Sequence, residues 1–347
     1  MAYYIDVEHG AAFEVSLTSE GSEDFNIYGT FVSKQHNYLV QPPRDNRSTY
    51  TVSLMEEKLN TSFDNIKLSD AKITEGKMQN RSEQTLNTRE KRQATDYEIE
   101  IFFVIDFALY KWTYALTEGE NDRHTATVNK LLQFTSFILN EVDLRFQSMK
   151  DYSYSTSCLF AGIYIADDPS DSKFVEDHIN NAGQALAQNI LYYFYQWGEA
   201  SIRHFNYDQA TLLTGRVIGS LEDGQFRNNM AGMAYSPSFF SGQLLHAAVC
   251  GKRGYSINEV TEFGPSLGTV VAHELGHNLG FGHDGDTNSC SLGYIMAPIY
   301  RITEYSSTNY KLWQFSSCSQ TYFDSYITTL NHASENCMTA RTATGND

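Results

Sequence analysis

Residues 273–284 read H-E-L-G-H-N-L-G-F-G-H-D, and the interpretation of the whole chain depends on this stretch. On a helix, His273 and His277 lie on one face one turn apart, where both imidazoles can bind one metal ion. Gly280 suits the left-handed residue that ends a helix, so the chain can turn and bring His283 to the same ion. Three imidazoles leave one corner of a tetrahedron for water, which is the arrangement of a catalytic zinc site.

Glu274 follows the first histidine and can reach the water in that fourth position. A carboxylate placed there is suited to take a proton from the water as general base. A bare H-E-x-x-H pattern also occurs by chance in helical sequences, so it does not by itself separate a zinc site from an ordinary helix. The third histidine makes the pattern far more specific, and the sequence therefore predicts one zinc ion held by His273, His277 and His283.

A methionine follows the third histidine, at Met296 in G-Y-I-M-A-P. The long histidine motif followed by this residue resembles the metzincin zinc peptidases, in which a Met-turn lies beneath the metal. Asp284 and the F-S-S-C-S of residues 315–319 resemble the adamalysin (reprolysin) branch, which includes the ADAM and snake-venom metalloproteinases. The resemblance covers about residues 97–337. It implies an α/β metzincin fold with a mixed twisted sheet, long helices, an active-site helix and a small C-terminal subdomain.

Strands that alternate with long helices predict an α/β core ahead of the motif. Apolar runs predict three buried strands and helical periodicity predicts two helices, with strands over 97–106, 158–166 and 211–218 and helices over 125–146 and 175–197. Residues 231–237 are interpreted as an edge strand that Pro237 ends, with residues 254–260 pairing beside it.

We expect a peptide substrate to lie extended along this edge strand, which makes Gly232, Met233 and Ala234 substrate-binding residues. Small or apolar residues are expected to border the pocket for the side chain after the scissile bond, namely Thr269, Val270, Ala297, Pro298 and Ile299. Burying a Leu-sized side chain there is worth about 1.5–3 kcal/mol, whereas an unpaired charge is penalised. The pocket therefore predicts cleavage before Leu, Ile, Val, Phe or Met.

Residues 1–92 are interpreted as a partial, β-rich prodomain and linker. Residues 25–40 alternate apolar and polar side chains around a Gly turn, and the two strands that this predicts resemble the closing strands of an ADAM-type prodomain. Asn46, Asn60 and Asn80 begin glycosylation sequons. R-E-K-R at residues 89–92 has the form that furin-like convertases cut, so we expect cleavage after Arg92, although an ordinary basic loop is the alternative. A metalloprotease domain over 93–340 and a tail over 341–347 complete the division.

The formal net charge is −17, and the acidity is concentrated after residue 92. Residues 1–92 hold 11 basic and 14 acidic side chains (net −3), and the remainder holds 14 and 28 (net −14). This balance argues against nucleic acid or an anionic membrane as the main partner. The chain contains no apolar run of about 18 residues that would predict a transmembrane helix, and its N-terminus does not resemble a signal peptide.

The spacing of the five cysteines does not predict their connectivity. The resemblance implies disulfides Cys250–Cys337 and Cys290–Cys318, which leaves Cys158 as a buried free thiol. Adamalysins also suggest a structural calcium ion, whose ligands would be Glu100, Asp208 and the carbonyl of Cys337. Ala340 stands where a further ligand, an Asn, would be expected.

These patterns predict a secreted, monomeric, zinc-dependent endopeptidase that acts on extracellular proteins. Three alternatives stay open: a catalytically inactive metzincin-fold binding module, a structural zinc protein, and the catalytic fragment of a larger membrane-anchored or matrix-associated ADAM-type protease. Adamalysin zymogens usually place a prodomain cysteine on the zinc, but residues 1–92 contain no cysteine. Latency would then be steric, or would depend on a cysteine further upstream.

Overall fold

A computed structural model describes residues 95–149, 154–240, 243–261, 263, 266–298 and 313–339, together with five strands between residues 2 and 54. These five strands form an antiparallel sheet in chain order: β1 Ala2–Asp6, β2 Ala11–Leu17, β3 Phe25–Ser33, β4 His36–Gln41 and β5 Thr51–Leu54. The predicted turn at the glycine of residues 25–40 is wrong, because Gly29 lies inside β3 and pairs with Val40 of β4. Arg92 and the linker before it lie outside the described residues.

The other described elements form an α/β unit. In chain order they are β6 Thr95–Ile105, α1 Phe107–Ala115, α2 Arg123–Gln147, β7 Tyr154–Ile165, α3 Lys173–Glu176 after a 3-10 turn at Pro169–Ser172, β8 Gln184–Leu186, α4 Ala187–Ser201, β9 Gln209–Thr214, β10 Val217–Glu222, β11 Gln225–Arg227, β12 Gly232–Ala234, β13 Ser238–Phe240, β14 Gln243–His246, β15 Tyr255–Glu259, α5 Ser266–Asn278 and α6 Ser317–Ala333. No helix in the described part of the chain is long and apolar enough to cross a membrane.

The central sheet has the strand order β12-β15-β9-β6-β7 and is parallel except for β12, which runs antiparallel at one edge. The predicted edge strand and its pairing with the segment that follows are thus confirmed. Side chains of a strand alternate between the two faces of a sheet. Accordingly, Ile101 and Phe103 of β6 join the core beside α2, α5 and α6, whereas Phe102 joins the core beside α3 and α4.

The single long helix predicted over residues 175–197 is wrong. The chain forms only the short α3, turns, adds strand β8 and then begins α4. In the turn, Oδ1 of Asn180 accepts hydrogen bonds from the backbone N–H groups of Ala182 and Gln184 at 2.9 and 3.0 Å, and Gly183 has a φ of 74°. An Asn side chain that satisfies backbone donors in this way competes with helix formation, and apolar spacing does not reveal that competition.

The single strand predicted over residues 211–218 is also wrong, because the chain leaves the central sheet after β9 and starts β10 in another sheet. The buried carboxylate of Asp106 accepts hydrogen bonds from Thr214 Oγ1 and from the Gly215 N–H, and it also caps α1 through the Leu109 N–H. A Cβ atom at Gly215 would lie 2.6 Å from the backbone nitrogen of Leu109. This close approach of β9 to α1 requires glycine and interrupts the strand.

Candidate metal centre and substrate edge

Helix α5 carries the first two histidines of the motif. It ends at the point where the chain must turn back to bring the third histidine toward the helix. The N–H of Gly280 donates to the carbonyl of His277 at 3.0 Å, and the N–H of Phe281 donates to the carbonyl of Gly276 at 2.9 Å. Gly280 has a φ of 83°, so these two bonds form the paired C-terminal cap that a left-handed glycine permits. The predicted helix end at Gly280 is confirmed, and the chain beyond it carries His283 back toward α5.

The structure brings the three histidines together. Their ligand nitrogens lie within 4.8 Å of one another, and the ring centroid of His277 is 4.7 Å from that of His273 and 4.8 Å from that of His283. Nδ1 of His273 lies 2.8 Å from the carbonyl oxygen of Ile295, and Nδ1 of His277 lies 2.9 Å from that of Phe281. A carbonyl only accepts, so each Nδ1 carries the proton and each Nε2 keeps a lone pair for a metal. This donor set fits a zinc ion.

Burial favours the neutral histidines that metal binding requires. It lowers the pKa of His273 to about 4 and, with the neighbouring imidazoles, lowers the pKa of His277 to about 3. Glu274 is only 5% exposed, and burial raises the pKa of its carboxyl to about 8. Its Oε2 atom is buried without a hydrogen-bond partner in the described residues, so it is available to a ligand of the site.

Met296 lies directly beneath the metal-site helix and is fully buried. A Cβ atom at Gly276 would lie 2.8 Å from the sulfur of Met296, so this glycine allows the helix and the methionine turn to approach. The carbonyl of Met296 accepts a hydrogen bond from the N–H of Asp284 at 2.8 Å. The turn thus packs under α5 and is tied to the residue after His283, which orients the third histidine.

Two residues that the sequence analysis did not identify hold the loop after His283. Asn288 donates from Nδ2 to the carbonyl of His283 at 2.9 Å. Ser316, the N-cap of α6, donates from Oγ to Oδ1 of the buried Asp284 at 2.6 Å. Asn288 lies in the turn-rich D-G-D-T-N-S segment, which is typical of side-chain-stabilised loops. The role of Ser316 depends on the docking of α6, which no local pattern reveals.

The disulfides that the resemblance implied are present. Cys290–Cys318 joins this loop to α6, and Cys250–Cys337 joins the segment before β15 to the end of the described chain. Cys158 is a buried free thiol, as predicted, and its N–H donates to Oδ1 of Asp143 at 2.7 Å.

Strand β12 lies at the edge of the sheet, and no other strand of the described residues pairs with its outer side. Toward β15, the carbonyl of Ala231 accepts from the N–H of Glu259 at 2.8 Å, and the N–H of Tyr235 donates to the carbonyl of Tyr255 at 3.2 Å. Backbone groups of successive residues point to opposite sides of a strand, so those of Gly232 and Ala234 point away from β15, toward the open edge. A Cβ atom at Gly232 would lie 2.7 Å from Oε1 of Glu274, which places this edge directly beside the buried carboxylate.

The residues predicted to border the substrate pocket occupy different environments. Thr269 is 3% exposed, and its hydroxyl accepts from Nε and Nη2 of Arg145 on α2 at 3.1 and 2.9 Å. Val270 is half-buried, Ala297 is buried and Pro298 is exposed. Ile299 lies outside the described residues, and the pocket as a whole stays a prediction.

The predicted calcium ligands lie near one another around the first half of β6. Asp208 accepts from the N–H of Glu100 through Oδ2 at 2.9 Å, and its own N–H donates to the Glu100 carbonyl at 2.8 Å. Met338, next to Cys337, accepts from the N–H of Glu98 at 2.7 Å. Ala340 lies outside the described residues. The calcium site therefore stays a prediction.

Comparison with known proteins points to one family. Residues 175–341 match the description "Reprolysin (M12B) family zinc metalloprotease". The human protein "A disintegrin and metalloproteinase with thrombospondin motifs 18" is 34% identical over 151 residues, which is 41% of this chain and 10% of that protein. The mouse protein "A disintegrin and metalloproteinase with thrombospondin motifs 16" is 27% identical over 205 residues, covering 56% of this chain and 14% of that protein. The chain thus spans a small fraction of the curated relatives that it matches.

Among solved structures, an archaemetzincin from Methanopyrus kandleri aligns with 66% of this chain and 95% of that chain at 16% identity, with a TM-score of 0.32. An overlap this low carries no argument about the fold. The sequence matches and the geometry of the three histidines point to the family.

Proposed function

We propose that the chain, which matches the adamalysin (reprolysin) family of zinc metalloproteases, is a secreted, monomeric endopeptidase that cleaves extracellular proteins. The observation that carries the proposal is the convergence of three imidazoles beside a buried carboxylate, next to an unpaired strand edge. The proposal includes a metzincin-type fold. It is supported by the antiparallel edge of a mixed sheet and by Met296 packed beneath α5.

In this proposal, His273, His277 and His283 hold one zinc ion through their Nε2 atoms. When bound, zinc supplies Lewis-acid chemistry, which lowers the pKa of a coordinated water to about 7 and polarises a carbonyl. Glu274 takes the proton from the attacking water at its carboxylate and passes it to the leaving amine. Burial raises the pKa of this carboxyl, which makes the protonated form that passes the proton to the amine accessible near neutral pH.

The open edge of β12 positions the substrate. An extended peptide can pair with the outward backbone groups of Gly232 and Ala234, which orients the scissile bond beside Glu274. We propose that the side chain after that bond enters an apolar pocket formed by Val270, Ala297 and their predicted neighbours. A peptide-library cleavage profile should therefore be led by Leu, Ile, Val, Phe or Met after the scissile bond, and a profile led by Asp, Lys or Arg would contradict the pocket.

The central test compares Glu274→Ala with the parent protein after removal of residues 1–92. General acid–base groups contribute about 10²- to 10⁴-fold, so cleavage of denatured casein should fall by that factor while bound zinc and the thermal unfolding midpoint stay unchanged. Glu118→Ala, at an exposed site after α1, is the matched control and should keep full activity. Turnover near that of the parent protein in Glu274→Ala would refute the mechanism.

Two other functions are separated by the same measurement. Zinc binding without any cleavage in the processed protein would indicate a binding module. A structural zinc protein would need a fourth protein ligand, and the metal-ligand group at this site contains only the three histidines among the described residues. The catalytic fragment of a larger protease is a further alternative, since the matched relatives are far longer than the aligned segments.

We also propose that cleavage after Arg92 activates the enzyme. Both segments are net negative, so packing and strand pairing, rather than charge attraction, would hold residues 1–92 on the domain. N-terminal sequencing of the secreted protein, with and without a furin inhibitor, tests this proposal. An active species that retains residues 1–92 would show that residues 89–92 are an ordinary basic loop.

A further inference from the structure

The end of strand β12 is rigidly held at Tyr235. The N–H of Tyr235 donates to β15, and its carbonyl accepts from Nδ2 of the buried Asn278 at 2.6 Å, just past the second histidine of α5. The chain then passes over the end of that helix, since a Cβ atom at Gly280 would lie 3.2 Å from Cγ of Pro237. The position of Tyr235 is therefore coupled to the metal-site helix.

The Tyr235 side chain lies on the opposite face of the strand from the metal site. The Cβ position of Gly232 points at Glu274, and successive side chains alternate, so Met233 and Tyr235 face the other way. Their contacts agree with this, because both pack against the core beside α4. The ring of Tyr235 meets that of Tyr195 from α4 edge to face, with centroids 5.8 Å apart.

A positive charge lies over the ring of Tyr235. The guanidinium of Arg253 lies 5.6 Å from the ring centroid of Tyr235 and is exposed, as is the adjacent Lys252. In the described part of the chain no carboxylate pairs with either side chain. In a protein of net charge −17, two adjacent basic residues without an acidic partner at the end of the substrate edge form an unusual feature.

A substrate strand paired with β12 would bring a particular residue to this point. Tyr235 lies three residues beyond Gly232, or about 10 Å along the strand. Side chains directly opposite each other in paired strands share a face. The substrate residue opposite Gly232 thus faces α5, which is the side of the predicted pocket after the scissile bond. The residue opposite Tyr235, three positions away, faces α4 and Arg253.

Antiparallel pairing is the more stable ladder, and a substrate strand paired in this way runs in the opposite direction to β12. With the residue opposite Gly232 placed directly after the scissile bond, the residue opposite Tyr235 is the third residue on the amino-terminal side of that bond. We infer that Arg253, with Tyr235 and Tyr195, forms a specificity subsite for an acidic side chain at the third substrate residue before the scissile bond. Arg253 supplies the charge, and the tyrosine rings supply an apolar wall for the methylene groups of a glutamate. This inference rests on the proposed peptidase function of the same edge.

The test uses the processed, zinc-loaded protein and internally quenched peptides with Leu after the scissile bond and Ala at the other positions. The third residue before the bond is Glu, Gln or Lys. Exposed ion pairs are worth a factor of about two to five, so kcat/KM for the Glu peptide should exceed that for the Gln peptide by this ratio. A peptide with Glu moved by one position presents it to the other face and should lose the preference.

Variants assign the preference to the guanidinium. Arg253→Gln should bring the Glu-to-Gln ratio to about one, and Arg253→Glu should make the Lys peptide the better substrate, a reversal that a merely structural role would not produce. Lys111→Gln is the control, because Lys111 is exposed on α1, which begins at the opposite end of the sheet from Arg253. This variant should keep the ratio of the parent protein.

The two levels of the proposal fail in different ways. If the parent protein cleaves the Glu and Gln peptides equally, or if Arg253→Gln keeps the preference, the subsite is refuted while the peptidase function stands. A preference for Glu only after the scissile bond also refutes it. If the processed protein binds zinc and cleaves neither these peptides nor denatured casein, the peptidase function and the subsite fail together.

Discussion

Replacing Gly232 by alanine tests whether the strand edge and the general base are in direct contact. The added Cβ atom would lie 2.7 Å from Oε1 and 2.8 Å from Cγ of Glu274, and 2.9 Å from the carbonyl oxygen of Ile257. The Ile257 carbonyl belongs to β15, which pairs on both sides within the sheet. The Glu274 side chain is the more easily displaced partner, so we expect the carboxylate to move.

The contacts set the size of the effect. Moving Oε1 from 2.7 Å to an ordinary contact of 3.4 Å requires a shift of about 0.7 Å. Misplacing a catalytic group by about 1 Å can cost about 10²-fold in rate, and the whole contribution of a general base is about 10²- to 10⁴-fold. We therefore expect Gly232→Ala to lower kcat by about 10- to 100-fold. Overpacking should cost about 1–3 kcal/mol of unfolding free energy.

The assay is kcat and kcat/KM on an internally quenched peptide, with zinc content and urea unfolding measured on the same samples. A double-mutant cycle with Glu274→Gln identifies the cause, because two changes that act through one group are not additive. In the Glu274→Gln background, Gly232→Ala should have little further effect. If it slows that background by the same factor as the parent protein, the alanine disturbs substrate pairing rather than the base, and the reasoning is refuted.

Three further predictions concern the metals and the disulfides. Burial lowers the pKa of all three histidines, so protons compete with zinc only below the ordinary imidazole pKa of 6.5. Zinc content after dialysis should therefore stay constant between pH 7 and 6.5, and substantial loss in that range would contradict this. Replacing Cys290 and Cys318 by alanine removes a disulfide that closes a loop with a sequence separation of 28. The free energy of unfolding, measured with urea, should fall by about 3–4 kcal/mol. A decrease below about 1 kcal/mol would show that other contacts hold the loop. Calcium should raise the thermal unfolding midpoint of the parent protein, and Asp208→Asn should remove that increase. If calcium leaves the midpoint of the parent protein unchanged, the predicted site is absent.

Much of the candidate site could be predicted from local sequence, because the chemistry of helices and strands is local. The four-residue spacing of His273 and His277 already specifies a shared helix face, and Gly280 specifies where that helix ends. The same local reasoning was wrong over residues 175–197, because the apolar spacing of a helix does not reveal that Asn180 satisfies backbone donors in a turn. It was wrong over residues 211–218 because the break at Gly215 arises from contact with α1, far away in the sequence.

The parts of the site that local patterns missed are contacts between distant segments. Asn278 holds the carbonyl of Tyr235 across 43 residues of sequence, and Arg145 holds the hydroxyl of Thr269 across 124. The meeting of Gly232 with Glu274 likewise depends on how α5 packs against β12. Residue type and spacing therefore determined which side chains can bind zinc and carry a proton. The packing of helices on the sheet decided what surrounds them, because burial and long-range hydrogen bonds exist only once those surfaces have met.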